Sequence, residues 1–257
     1  MKTKPKTLIF SGYGLNCEDE TKVAFDRAGA VADIIHINEL LARPALLKKY
    51  QIAVIPGGFS YGDDTGAGKA YGNRLKQHLG NELERFLERD TLMLAICNGF
   101  QVATSVGMLP GALVANDSAR FICRWVDLRV QGESPWLQGI EKLSLPIAHG
   151  EGKYYASEDA LHALKKENAI ALTYIKGETA EHFDMPPNPN GALENIAGVL
   201  GRGGRILGMM PHPERAIRFS ALPHWTYLKE SYVREGKKMP NEGPGMGIFK
   251  NAVKYFS

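Results

Sequence analysis

"TLMLAICNGFQVATSVGML", Thr91 to Leu109, sets a cysteine between an apolar run and an Asn-Gly pair. The run Thr91 to Ile96 reads as a buried strand, and the segment after Gly99 reads as a helix. Between them "AICNG" has the shape of G-x-S-x-G, the strand-to-helix turn that exposes a nucleophile. Ala95 and Gly99 are its small flanking residues, and Cys97 takes the serine position. A helix beginning near Phe100 would put unpaired N–H groups and the positive end of its dipole at the thiol. The chemistry needs that help, because a free thiol with a pKa of about 8.5 is only a few per cent thiolate at neutral pH. The other reading of Cys97, a small buried hydrophobe, stays open on these residues alone.

Outward from this turn the same grammar repeats. "TLIF" (Thr7 to Phe10), "VADIIHI" (Val31 to Ile37) and "IAVIP" (Ile52 to Pro56) are further short apolar runs. Leu75, Leu79, Leu83, Phe86 and Leu87 form the stripe of an amphipathic helix ahead of Thr91. Continuous apolar strands alternating with helices predict an α/β fold with a mostly parallel central sheet covered on both faces. The second half is more mixed. "RFICRWVDLRV" (Arg120 to Val130), "KLSLPIA" (Lys142 to Ala148), "AIALTY" (Ala169 to Tyr174) and "GRILGMM" (Gly204 to Met210) read as strands, and "MPPNPNGA" (Met185 to Ala192) as a loop. Beyond Leu222 no clean period emerges.

Composition excludes several classes. Within 257 residues, 31 basic and 28 acidic side chains leave a net charge of +3, scattered rather than massed, so nucleic acid is not an implied partner. The N-terminal apolar segment is too short for a signal sequence or a membrane span, and a soluble cytoplasmic protein of one domain, 1–257, is expected. Cys17, Cys97 and Cys123 are odd in number and form no C-x-x-C pair, which argues for reduced thiols and against structural zinc; no metal is expected.

In an open parallel sheet, ligands bind beyond the carboxyl ends of the strands. "IAVIP" is followed by "GGFSYGDD", "TLMLAI" by "CNG" and "GRILGMM" by "PHPE". A thiol needs a base, and His212, held between Pro211 and Pro213 with Glu214 two residues on, is the best placed of seven histidines. His149 in "PIAHGEGKY" is the next candidate, and a loop histidine without catalytic duty is the bland reading of either. The Gly57-Gly58 turn could aim backbone N–H groups at the charge that builds on oxygen during attack on a carbonyl. "TGAGKAYG" fails the phosphate-loop pattern, because Ala70 follows Lys69 and Asp63 stands five before Gly68.

Taken together, Cys97 in its elbow, "GGFSYGDD", "CNGFQ", "AHGEGKY", "NPNG", "GMMPHPER" and "GLNCEDET" resemble the class I glutamine amidotransferases. More narrowly, they resemble the glutaminase subunits of phosphoribosylformylglycinamidine synthase, over about residues 7 to 220. The resemblance implies a flavodoxin-like domain spanning 1–257, with 222–257 as a C-terminal extension packed on it or covering a partner surface. Carried over by position, it implies that Cys97 attacks the carboxamide of L-glutamine, His212 moves the protons and Glu214 orients His212. Gly58 and Asn98 would donate backbone N–H groups to the oxyanion, and Gln101, His149, Gly150 and Glu151 would line the glutamine site. It implies no cofactor on this chain. ATP and Mg would belong to a large synthetase subunit, joined by a small third subunit, which uses the ammonia to convert formylglycinamide ribonucleotide into formylglycinamidine ribonucleotide. "DTGAGKAYG", Asp64 to Gly72, departs from the family's Tyr-Leu-Arg continuation, and the tail is longer than in compact bacterial members. Two other readings are carried forward: a stand-alone cysteine amidase of related fold, and a binding protein that has lost catalysis.

Overall fold

The computed structural model describes residues 4–64, 66–182 and 184–257. Thr65, within the divergent Asp64 to Gly72 segment, lies outside the described residues. The chain runs β1 (Lys6–Ser11), α1 (Glu18–Ala28), β2 (Val31–His36), α2 (Ile37–Ala42), β3 (Ile52–Ile55), α3 (Lys69–Glu88), β4 (Leu92–Ile96), α4 (Asn98–Ser105), β5 (Ala112–Val114), β6 (Ile122–Val130), β7 (Lys142–His149), β8 (Lys153–Tyr155), α5 (Glu158–Lys166), β9 (Ile170–Ile175), α6 (Glu178–His182), β10 (Ile196–Gly201), β11 (Ile206–Met209), α7 (Trp225–Arg234) and α8 (Met246–Tyr255).

Nine strands form one sheet in the order β2-β1-β3-β4-β11-β10-β9-β6-β7. β2, β1, β3, β4 and β11 pair parallel, and the remaining pairings are antiparallel. The α/β class and the parallel block follow the sequence reading. β3, β4 and β11 are buried along their whole length, which is why their sequences are uninterrupted apolar runs. β7 at the far edge alternates buried and half-exposed residues instead.

The connection β1-α1-β2 moves one way along the sheet and β3-α3-β4 the other. Because both crossovers are right-handed, α1 and α3 fall on opposite faces. α8 packs on α1, with Phe249 edge-on to Phe25 at 5.1 Å between ring centroids, while α4 packs beside α3. The predicted stripe of α3, Leu75, Leu79, Leu83, Phe86 and Leu87, is buried, each side chain contributing about 1.5–3 kcal/mol.

β11, β9 and β7 all point the same way, since each is separated from the next by one antiparallel neighbour. The carboxyl ends of β1, β3, β4, β11 and β7 therefore share one edge. The far-edge strand closes back on it: the His212 N–H donates to Pro146 O at 2.8 Å. No helix among the described residues is long and apolar enough to cross a membrane.

Candidate active site

β4 delivers Cys97 into a strained turn, φ 50° and ψ −107°, between strand and helix. A non-glycine residue held there costs on the order of 1–3 kcal/mol, sustained only when the surroundings over-determine it. Here the Cys97 N–H donates to Met209 O of β11 at 2.8 Å, and its carbonyl accepts from Gln101 N at 3.1 Å, opening α4. Gly99 makes the turn sterically feasible, because a Cβ at that position would sit 1.9 Å from Ile55 O. The Cys97 thiol is buried and points toward Ala148 O, 3.7 Å away on β7.

His212 follows β11 by three residues and is 1 % exposed. Its Nδ1 lies 2.5 Å from Glu214 Oε1, in the 3-10 turn Pro213–Ala216, and both side chains are closed to solvent. With Nδ1 engaged, Nε2 is the ring nitrogen without a hydrogen-bond partner among the described residues. Burial opposes charge on the imidazole, but the Glu214 carboxylate, reinforced by the Cys97 and Cys17 sulfurs, outweighs it and holds the His212 pKa well above 6.5. A proton released by a nearby thiol thus has a prepared acceptor.

The Gly57-Gly58 turn leads from β3 to the same point. Gly58 has φ +155°, and a Cβ there would fall 2.4 Å from Gly14 O. The buried N–H groups of Gly58 and Asn98 donate to no group among the described residues, although buried amides are nearly always paired. The Asn98 side chain supports the turn, accepting from Ser60 N at 3.2 Å and donating to Gln101 Oε1 at 2.8 Å.

Gln101 Nε2 donates to Glu151 O at 2.6 Å, so both ends of its amide are used inside the protein. Glu151 Oε2 accepts from Ala67 N at 3.1 Å, which ties the divergent loop to this wall. Gly150 O accepts from Asn116 N at 3.0 Å. His149, 2 % exposed, faces Asn116 Oδ1 at 3.1 Å, and burial, then the nearby charge of His212, lowers its pKa to about 4. Asp63 is pushed up to about 6 by burial first and by Glu151 second, against a hydrogen bond from Asn98.

All nine residues singled out from the sequence thus lie around one sheet edge. Cys97 and Glu214 lie beside the His212 imidazole; Gly58 follows β3 and Asn98 opens α4 directly after the thiol; Gln101 bonds Glu151, and His149 and Gly150 both bond Asn116. Sequence reasoning missed Asn116, which is 2 % exposed and braces His149 and Gly152 from a loop with no motif of its own. It also left Cys17 without a role. The Cys17 sulfur and the donor atoms of His212 and Glu214 lie within 4.8 Å of one another, a spacing a cation could use, and the Arg215 guanidinium already stands 3.0 Å from the sulfur.

Residues 4–256 match the CobB/CobQ-like glutamine amidotransferase domain. The chain belongs to that family. Relatives span its whole length. The phosphoribosylformylglycinamidine synthase subunit PurQ of Methanococcus maripaludis (strain C7 / ATCC BAA-1331) is 44% identical, covering 100% of this chain and 99% of that protein. PurQ of Dehalococcoides mccartyi is 43% identical over 98% of both. These matches carry the likeness through the tail, beyond the residue-220 limit expected from motifs, whereas a relative from Thermus thermophilus covers 79% of the chain. Within the family, then, the chain falls among the PurQ subunits. A chain in the structure of PurLQS from Thermotoga maritima superposes with a TM-score of 0.74 at 29% identity, covering 99% of this chain and all of that one. A glutamine amidotransferase from the same organism, at 14% identity and TM-score 0.57, shows the shared fold alone.

Proposed function

We propose that this chain is the cytoplasmic glutaminase subunit of phosphoribosylformylglycinamidine synthase. It hydrolyses L-glutamine and passes ammonia to a separate ATP- and Mg-dependent synthetase subunit, with a small third subunit completing the assembly. The observation that carries the reading is Cys97 in its strained elbow beside a buried His212 whose Nδ1 is fixed by Glu214. In such an arrangement the thiol proton moves to His212 and the sulfur attacks the side-chain carboxamide. The oxygen takes up negative charge between the N–H groups of Gly58 and Asn98. Each such donor is worth roughly 3–4 kcal/mol of barrier.

Collapse of this intermediate breaks the C–N bond, the imidazolium protonates the departing ammonia, and a glutamyl thioester remains on Cys97. His212 then takes a proton from water, hydroxide adds to the thioester, and glutamate leaves as the thiol is restored. Gln101, His149, Gly150 and Glu151 shape the wall against which the substrate lies. Glu214 holds the imidazole in the tautomer that keeps Nε2 for the thiol. The full-length PurQ relatives support the pathway, and the likeness to a chain of PurLQS supports the partners.

The test is glutamate release from glutamine by the purified chain, alone and with the matching synthetase and small subunits, ATP, Mg and formylglycinamide ribonucleotide. The expected result is a large rise on assembly, abolished by Cys97→Ala, with ammonia-dependent synthesis by the complex retained. Release that ignores the partners would leave a stand-alone amidase. No release in any mixture would leave a binding protein.

A further inference from the structure

Cys17 is fully buried in the loop between β1 and α1, far from the nucleophile in sequence, and the catalytic steps above do not use it. Its backbone N–H and that of Asn16 both donate to Gly57 O, at 3.2 and 3.1 Å, so this loop is stitched to the oxyanion turn. Its thiol donates to Asn16 Oδ1 at 3.4 Å, and its sulfur accepts from Arg215 Nη2 at 3.0 Å. Arg215 Nε in turn lies 4.0 Å from Glu214 Oε1, the oxygen that holds His212.

We propose that Cys17 and Arg215 are positioning residues for the His212–Glu214 pair: the sulfur anchors the guanidinium, and the anchored guanidinium supplies a permanent cation beside the buried carboxylate. The proposal rests on the glutaminase reading. A carboxylate removed from water needs a compensating charge, and Glu214 Oε2 has no hydrogen-bond partner among the described residues. Once the thiol proton has moved to His212, the imidazolium compensates it. When His212 gives its proton to the departing ammonia, that compensation vanishes at the moment the barrier is crossed. Arg215 is always charged and remains.

An anchor is required because Arg215 has an alternative. Its side chain is 36 % exposed, and a surface cavity beside it is lined by Asp19 and Glu20 of α1 and by Arg218, with Glu214 at its inner wall. Without the Cys17 sulfur the guanidinium swings out to those carboxylates. The charged and titratable groups around the pair are Cys97 from the elbow, Cys17 from the β1–α1 loop, His149 from β7 and Arg215 itself, with Glu20 acting on Arg215 from α1. Arg215 is the group among them whose positive charge survives at every pH of interest.

The test is the pH profile of glutamine hydrolysis by the assembled complex, for wild type, Cys17→Ala, Cys17→Ser, Arg215→Gln and Arg215→Lys, with thermal melts to establish folding. Removing a nearby cation favours protonation of every group in the pair's reach. Both limbs of the kcat/KM profile therefore move to higher pH in Arg215→Gln, by about half a unit, whereas in Cys17→Ala the lost sulfur contact to His212 acts in the other direction and that variant is read by kcat. The same variants lose about tenfold in kcat with KM little changed, the size of one charge-assisted hydrogen bond. Cys17→Ser restores kcat toward wild type, since a hydroxyl also accepts from the guanidinium, and Arg215→Lys recovers part of both readouts.

A folded Arg215→Gln protein with unshifted limbs, a folded Cys17→Ala protein with wild-type kcat, or a Cys17→Ser protein as defective as Cys17→Ala, would overturn the proposal while wild-type activity upholds the glutaminase reading. A wild-type complex that releases no glutamate removes that reading, and this proposal with it.

Discussion

The segments Met210 to Arg215 and Ala148 to Gly152 each bury a histidine at the same edge of the sheet, and they push its protonation in opposite directions. His212 and His149 are 1 % and 2 % exposed, so desolvation disfavours the charged ring in both. The partner at Nδ1 decides the outcome. His212 faces the Glu214 carboxylate at 2.5 Å and is held well above 6.5; His149 faces the neutral Asn116 amide at 3.1 Å and falls to about 4. Charge on one ring also discourages charge on the other, since the His212 imidazolium adds to the lowering of His149. One edge thus keeps a proton carrier and a neutral wall residue side by side.

Substitution separates the two rings most sharply. His212→Gln should reduce glutamine hydrolysis by at least about 10⁴-fold, as expected for loss of the group that moves every proton. A residual rate within a hundredfold of wild type would show that another base serves Cys97. Glu214→Gln, which keeps the shape but not the charge, should cost about 10³–10⁴-fold, read as kcat in the same assay. Its folded structure should be retained on melting, because the side chain still fits.

The comparison can also be broken deliberately. Asn116→Asp places a carboxylate where His149 now meets an amide, and should raise the His149 pKa from about 4 to above 6.5, followed by the imidazole resonances in an NMR titration. The same change removes donors to Arg120 O and His149 O, and should lower stability by about 2–3 kcal/mol. A His149 pKa that stays near 4 would mean that burial and not the partner controls the ring.

Stability against pH gives opposite slopes. Between pH 6.5 and 4 the unfolded chain binds a proton at residue 149 that the folded protein refuses, so His149 withdraws up to about 3 kcal/mol as pH falls through that window. His212 does the reverse: its raised pKa contributes stability that is complete below 6.5 and is lost as pH rises through the folded value. Denaturant unfolding across pH should show the acid-side slope disappear in His149→Gln and the alkaline-side slope flatten in His212→Gln. The smallest effect is on rate: His149→Gln should cost no more than about tenfold in kcat/KM, because a neutral amide can still fill the wall. A loss near that of His212→Gln would place His149 in proton transfer.

Much of this edge is legible in the chain. The apolar runs at β1, β3, β4 and β11 read as strands because full burial leaves them without polar interruption, and the elbow at Cys97 shows because a strained turn admits only small neighbours. β10 does not read as a strand: "IAGVLG" is short and carries two glycines, so its strand character comes from neighbours on both sides. α7 has no buried residue and offers no stripe to detect, while α8 buries its face largely against α1, which lies more than 200 residues earlier.

What the sequence determined by itself was local: which runs could be strands, where a turn could expose a thiol, and that His212 and Glu214, two residues apart, could meet. Those depend on periodicity, glycine placement and short separations. Tertiary structure decided which groups surround the imidazole. Cys17 and Arg215 are 198 positions apart and Asn116 and His149 are 33 apart, yet each pair is in hydrogen-bond contact. No local pattern encodes such a meeting, because it follows from the order and direction of nine strands. The charge on each buried histidine follows from those meetings.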